Sequence, residues 1–320
     1  MAFRRPAVCR EEPGWSLAFP AEGNTLAGIV RAPVVLPSPG IVFAPDFLAR
    51  VGRLSAQLAG QRERREGEGP ARLFGVGSEF VGYRPYRSGE DLRALDWNLL
   101  ARLGRPYVRV AAREASEAWA VLLDTSASMG VGRPGKLQLG AEIALALTAL
   151  GVARRATVSL YAGGRAALFV ARRRAALAGC LRVLAAQRAG GAAGLGQLAR
   201  AFGAVRGAGR VFLIGDFLDC GPGDALALVR PGRELFLVQV LASEELVPAL
   251  RGPVRWVDAE SGSALELGVG EAEARHYERR LSARLEHLRG AAARARAVHG
   301  CWASDTPFET PVRALCARMG

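Results

Sequence analysis

Lysine is almost missing from this 320-residue chain: Lys136 stands alone among 43 basic residues, and the others are all arginine. With 39 glycines and abundant alanine, that skew reads as a GC-rich coding bias spread over the whole surface, not as a patch built for one polyanion. A net charge of +13 suits nucleic acid or an anionic membrane in principle. Here the bases are interleaved with acids, the longest uninterrupted run is Arg172-Arg173-Arg174, and no aromatic-basic platform accompanies them. Nucleic acid is therefore not the expected partner. Histidines number three (His276, His287, His299) and cysteines five (Cys9, Cys180, Cys220, Cys301, Cys316). No CxxC pair and no histidine at ligand spacing from a cysteine occurs, which excludes the usual zinc and dithiol motifs. Scattered cysteines of odd number fit the reduced thiols of a cytoplasmic protein.

Long hydrophobic runs are also lacking. Leu137 to Ala153 carries Glu142 and falls short of the roughly 20 residues that a bilayer requires. Residues 32–49 are apolar but broken by Pro33, Pro37, Pro39 and Pro45, and the first thirty residues show no compact hydrophobic run before a cleavage site. No membrane insertion is expected.

Half of the residues are hydrophobic, enough for a sizeable core. Residues 1–43 show no sustained period and read as a loose, poorly ordered leader. Phe47, Leu48, Val51, Leu54 and Leu58 recur at helical spacing, so the stretch 45–65 is an amphipathic helix. A glycine-rich connector follows, then a polar, aromatic-studded block at 75–110 without clear period. From there strands and helices alternate. Strands are predicted at 119–123, 156–161, 166–170, 210–215, 234–241, 254–257, 264–267 and near Cys301. Helices are predicted at 136–154, 172–187, 195–206, 271–297 and 307–318. Near-continuous apolar strands separated by helices call for an α/β, doubly wound, mostly parallel sheet flanked by helices and Rossmann-like in outline. The domain reading is a leader at 1–43, an N-terminal helical or irregular module at 44–110, and the α/β domain at 111–320.

Ligand groups in such sheets gather where strands open into loops. Two strand ends carry carboxylates: Asp124-Thr125-Ser126-Ala127-Ser128 after one, and Gly215-Asp216-Phe217-Leu218-Asp219 after another. Asp124, Ser126 and Ser128 are hard oxygen donors that suit Mg²⁺ or Mn²⁺, with Asp216 as an outer-shell anion. The blander alternative has Asp124 and Ser126 capping the following turn. Gly130 to Leu137 nearly spells a phosphate-binding loop, but leucine stands where Ser or Thr would hold Mg²⁺, so the stretch reads as a connector into the next helix. Ser126 and Ser128 have no histidine beside them in sequence to activate them, and all three histidines fall on or just after the late charged helix. No enzyme is expected, although metal-dependent hydrolysis and nucleic-acid binding remain the alternatives.

Asp124-x-Ser126-x-Ser128 after a hydrophobic strand resembles the metal-ion-dependent adhesion site of von Willebrand A domains. The block from Glu79 through Arg84, Tyr86, Glu90, Asp91, Arg93, Asp96 and Trp97 to Arg102 resembles the signature of one bacterial branch, the domain of unknown function fifty-eight. The resemblance implies a non-catalytic interaction scaffold that works with a MoxR-type AAA+ ATPase in chaperone-like assembly or metal insertion of a client protein. It also makes Glu79 to Arg102 either a structural fastening, by ion pairs of Arg84, Arg93 and Arg102 with Glu79, Asp91 and Asp96, or a contact with that partner. The sequence departs from the pattern in one loop: the usual Gly-Gly-Thr-Asp-Leu is Gly190-Gly191-Ala192-Ala193-Gly194-Leu195, which lacks the oxygen donor that such sites normally add. The implied Mg²⁺ or Mn²⁺ site is therefore short of one ligand.

Overall fold

The computed structural model describes residues 40–66, 73–75, 79–86, 95–113, 117–163, 167–190, 194–203, 207–247, 252–260 and 263–319. The expected disorder of the leader falls outside these residues as far as position 39. Among them, helix α1 (Phe47–Glu66) comes first. Strands β1 (Leu73–Gly75) and β2 (Glu79–Pro85), helix α2 (Trp97–Leu103) and strand β3 (Tyr107–Arg113) follow. Then come β4 (Ala118–Leu123), α3 (Lys136–Ala153), β5 (Thr157–Ala162), β6 (Phe169–Ala171), α4 (Leu177–Ala185) and α5 (Leu195–Gly203). Strand β7 (Arg210–Gly215), α6 (Pro222–Leu226), β8 (Glu234–Leu241) and α7 (Ser243–Leu246) lead to a hairpin of β9 (Gly252–Val257) and β10 (Ala264–Val269). The long α8 (Glu271–Arg294), β11 (Val298–Ala303) and α9 (Glu309–Cys316) complete the order.

Two compact units divide the chain: residues 1–59 with 118–320, and residues 60–117. In the larger unit six strands pair in the order β11-β8-β7-β4-β5-β6, all parallel except β6, which runs antiparallel to β5. Period-two alternation along β4 explains why helices cover both faces. Trp119, Val121 and Leu123 enter one core with α1, α3, α4 and α9, while Ala120 and Leu122 enter the other with α5, α6 and α8. The expected α/β sheet with helices on both faces is what forms. Helix α3 is apolar all round because it crosses the middle of one face. It is long and apolar enough to cross a membrane by composition, yet most of it is buried inside the fold.

Three expectations need correction. The module predicted at 44–110 divides elsewhere: Phe47, Val51, Leu54 and Leu58 of α1 are buried in the main core, so most of that helix belongs to the larger unit. The end of the predicted leader is packed as well, with Ile41 buried and the Val42 backbone exchanging two 2.9 Å hydrogen bonds with the Gln138 amide. The block without clear period forms a three-stranded antiparallel sheet of order β1-β3-β2, with α2 inserted between β2 and β3.

Candidate functional site

The sheet order reverses between β4 and β7: β5 and β6 lie on one side of that pair, β8 and β11 on the other. A crevice at such a switch point is where open α/β sheets bind ligands. Asp124 follows β4 directly, and its backbone N–H still bonds the Ile214 carbonyl at 2.9 Å. Asp216 follows β7 directly. The two carboxylates expected from separate strand ends are therefore brought together.

Gly215 makes room for this. A Cβ there would lie 3.0 Å from the Asp124 Cβ and 2.9 Å from Leu195 Cδ1, so the Asp124 side chain lies across a position that only hydrogen can occupy. Gly215→Ala is expected to cost about 1–3 kcal/mol by overpacking. Urea unfolding checks it, and an unchanged midpoint would mean that Asp124 does not rest there.

Asp124 is 3% exposed. Its Oδ1 accepts the Ser126 N–H at 2.9 Å and so holds the turn. Burial pushes this carboxyl from its ordinary 3.8 up to about 6; the Ser126 N–H works against the rise, and the nearby Asp216 charge adds to it. The 3-10 turn Ala127–Gly130 follows with Ser126 at its N-cap, but the Ser126 side chain caps nothing. Its Oγ lies 3.0 Å from Ser128 Oγ. The blander capping role thus falls to Asp124, while the two hydroxyls meet beside it.

Lys136 is the site residue that the sequence reading passed over as part of a connector. It is the first residue of α3, follows a glycine N-cap, and is fully buried. Its Nζ donates to Asp216 Oδ2 and to Glu245 Oε1, each at 2.8 Å. Burial alone would lower the pKa of this ammonium; the Asp216 and Glu245 carboxylates outweigh burial and leave it raised. The surrounding bonds fix both acceptors. Asp216 Oδ1 accepts the Leu218 N–H at 3.2 Å, and the Asp216 carbonyl accepts from Gln239 Nε2 at 2.6 Å. Gln239 Oε1 in turn faces His299 Nε2 at 3.0 Å, and burial lowers the pKa of His299. Phe217 holds a left-handed φ of 57°, in a loop whose carbonyls receive Arg284 Nη2, at 2.7 Å from Cys220. Glu245 Oε2 accepts the Ala242 N–H at 2.8 Å, and Tyr277 Oη donates to the Glu245 carbonyl at 2.8 Å.

This donor set fits a divalent ion poorly. Asp124, Ser126 and Ser128 offer a single carboxylate and two hydroxyls, and the fixed positive charge of Lys136 already acts on Asp124. Asp216, the expected outer anion, already holds an ammonium. Among the described residues no group of three or more His, Cys, Asp or Glu side chains is placed to hold a metal. Further carboxylates gather nearby: burial raises Asp219 and Glu260, the latter to about 7, and Asp216 and Asp258 add to both shifts.

The signature residues lie in the smaller unit. Asp96 N-caps α2, its Oδ1 accepting the Asn98 and Leu99 N–H groups at 3.0 Å and its Oδ2 accepting from Tyr83 Oη at 3.0 Å. Trp97, next in sequence, is 62% exposed, and Leu103 at the other end of α2 is 58% exposed. Arg84 and Arg102 are exposed and Tyr86 is half-buried. Glu79 opens β2 opposite Ala112. Glu90, Asp91 and Arg93 lie outside the described residues. His276 and His287 sit on α8.

A family profile described as "Protein of unknown function DUF58" matches residues 82–287. Uncharacterized proteins of Mycobacterium tuberculosis (Rv1480) and Mycobacterium bovis (Mb1516) are each 33% identical over 244 residues, covering 72% of this chain and 74% of theirs. Among solved structures, BatB from Bacteroides thetaiotaomicron aligns at 14% identity with a TM-score of 0.38, over 63% of this chain and 96% of that one. An aerotolerance-related membrane protein from Bacteroides fragilis aligns at 12% identity and a TM-score of 0.36, over 64% and 100%. TM-scores of this size leave the fold to be read from the chain's own topology.

Proposed function

This chain belongs to the DUF58 family of unknown function, and from that premise we propose that it is a non-catalytic protein-interaction scaffold of the von Willebrand A type. The observation that carries the reading is the meeting of Asp124, Ser126 and Ser128 with Asp216 at the switch point of a mostly parallel six-stranded sheet. Among the described residues no histidine is hydrogen-bonded to Ser126 or Ser128. Ser126 Oγ contacts Ser128, and the half-buried His299 bonds Gln239. Both facts favour binding over chemistry. The partner proposed is a MoxR-type AAA+ ATPase acting on a client protein in the cytoplasm, a partnership suggested by the resemblance of the signature block.

Trp97, 62% exposed at the start of α2, is a side chain of the kind that anchors interfaces, and it is the proposed contact of that block with the partner. Affinity capture of the tagged full chain from native lysate, with partners identified by mass spectrometry, tests the reading. Recovery of an AAA+ ATPase supports it; recovery of nucleic acid without an ATPase sinks it. Trp97→Ala is expected to change stability by less than about 0.5 kcal/mol, as for an exposed site. The same change is expected to weaken ATPase binding by about 2 kcal/mol, more than tenfold in affinity. Undiminished capture by this variant would return the block to a structural role.

A further inference from the structure

We infer that Lys136 is the resident cation of this adhesion-type site and takes the place of a divalent metal. The inference rests on the scaffold reading above and specifies how its loop is charged. An ammonium with no solvent exposure must regain through fixed partners what it loses in hydration, and Lys136 has two carboxylates at 2.8 Å. Its position is locally unfavourable, since the first turn of a helix repels a cation through the macrodipole. The first turn of α3 holds no acidic residue to offset this. The reason for a lysine there is thus tertiary. It is also specific: in a chain with 43 basic residues this is the single position not given to arginine. A compact point charge fits between Asp216 and Glu245 where a planar guanidinium fork would not.

The ammonium offers Asp216 what a metal-bound water would offer, an N–H donor backed by positive charge. A divalent ion placed on Asp124, Ser126 and Ser128 would find one direct carboxylate. It would also face a fixed positive charge that already engages the other two acids. The loop that lacks the usual hydroxyl, Gly190 to Leu195, fits the same account, because a site charged from within has no need of that ligand.

The test uses the purified full chain, Mn²⁺ followed by its electron paramagnetic resonance signal, and Mg²⁺ by calorimetry. Wild type is expected to take up neither ion at micromolar to low-millimolar concentration, and its unfolding temperature should be the same in Mg²⁺ and in EDTA. Lys136→Ala, which frees Asp216 and Glu245 beside Asp124, is expected to bind Mn²⁺ at least tenfold more tightly than wild type and to gain stability from it. Stoichiometric Mn²⁺ uptake by wild type at micromolar concentration would overturn the inference, as would a folded Lys136→Ala that binds no better. Should that variant not fold, the wild-type titration decides alone. Loss of partner capture with no metal uptake by wild type would count against the scaffold and leave the ammonium assignment standing.

Discussion

Lys136→Met is expected to lower stability by about 3–5 kcal/mol, the cost of leaving a buried charge without its partner. Methionine keeps the length and the apolar stem of the side chain, so the loss isolates the ammonium and not its packing. Asp216 and Glu245 would remain, with side chains 4% and 18% exposed and no cation between them. Replacing both acids as well, in Lys136→Met with Asp216→Asn and Glu245→Gln, should recover most of the stability, because an apolar and neutral set no longer buries charge. Urea titrations of wild type and both variants at pH 8 give all of this. A deficit below about 1 kcal/mol at pH 8 would place Lys136 with the ordinary surface pairs.

The part of this architecture that was legible in the sequence is the part that local pattern controls. The runs at 210–215 and 234–241 are continuously apolar because they are covered on both faces, and they form β7 and β8 over those very residues. Asp124 and Asp216 were readable for the same reason: a carboxylate that closes an apolar run marks a strand end. Strands β1 to β3 escaped because they belong to a small antiparallel sheet with polar and glycine positions, where no alternation stands out. Helices α6 and α7 span five and four residues, too short for a 3.6-residue period to register. Lys136 escaped for a deeper reason. Its partners lie 80 and 109 residues away, so only the fold reveals that it is not part of a flexible connector. Two signals were available nonetheless: it is the single lysine of the chain, and it opens a helix, where a cation is least welcome.

Asp124→Asn is expected to stabilise the protein at neutral pH by up to about 3 kcal/mol, against the usual direction for a buried substitution. The sign follows from the proton balance. A carboxyl that titrates at about 6 when folded and near 3.8 when free holds its proton more tightly in the folded chain. Between those values the unfolded chain releases the proton first, so stability falls as the pH rises through the window. Above about 7 the deficit levels off near 3 kcal/mol, the equivalent of the rise from 3.8 to about 6. Asparagine carries no such charge and can still accept the Ser126 N–H through its Oδ1. The variant and wild type should therefore match at pH 4, diverge to about pH 7 and stay apart by a constant amount beyond it, which paired denaturant titrations across that range would show. Curves that stay parallel would mean that Asp124 is ionised at little cost. A buried carboxylate kept charged against its own stability is characteristic of a group retained for binding. The stabilised Asp124→Asn chain should accordingly capture less of its partner than wild type does, joining the gain in stability to a loss in function at one residue.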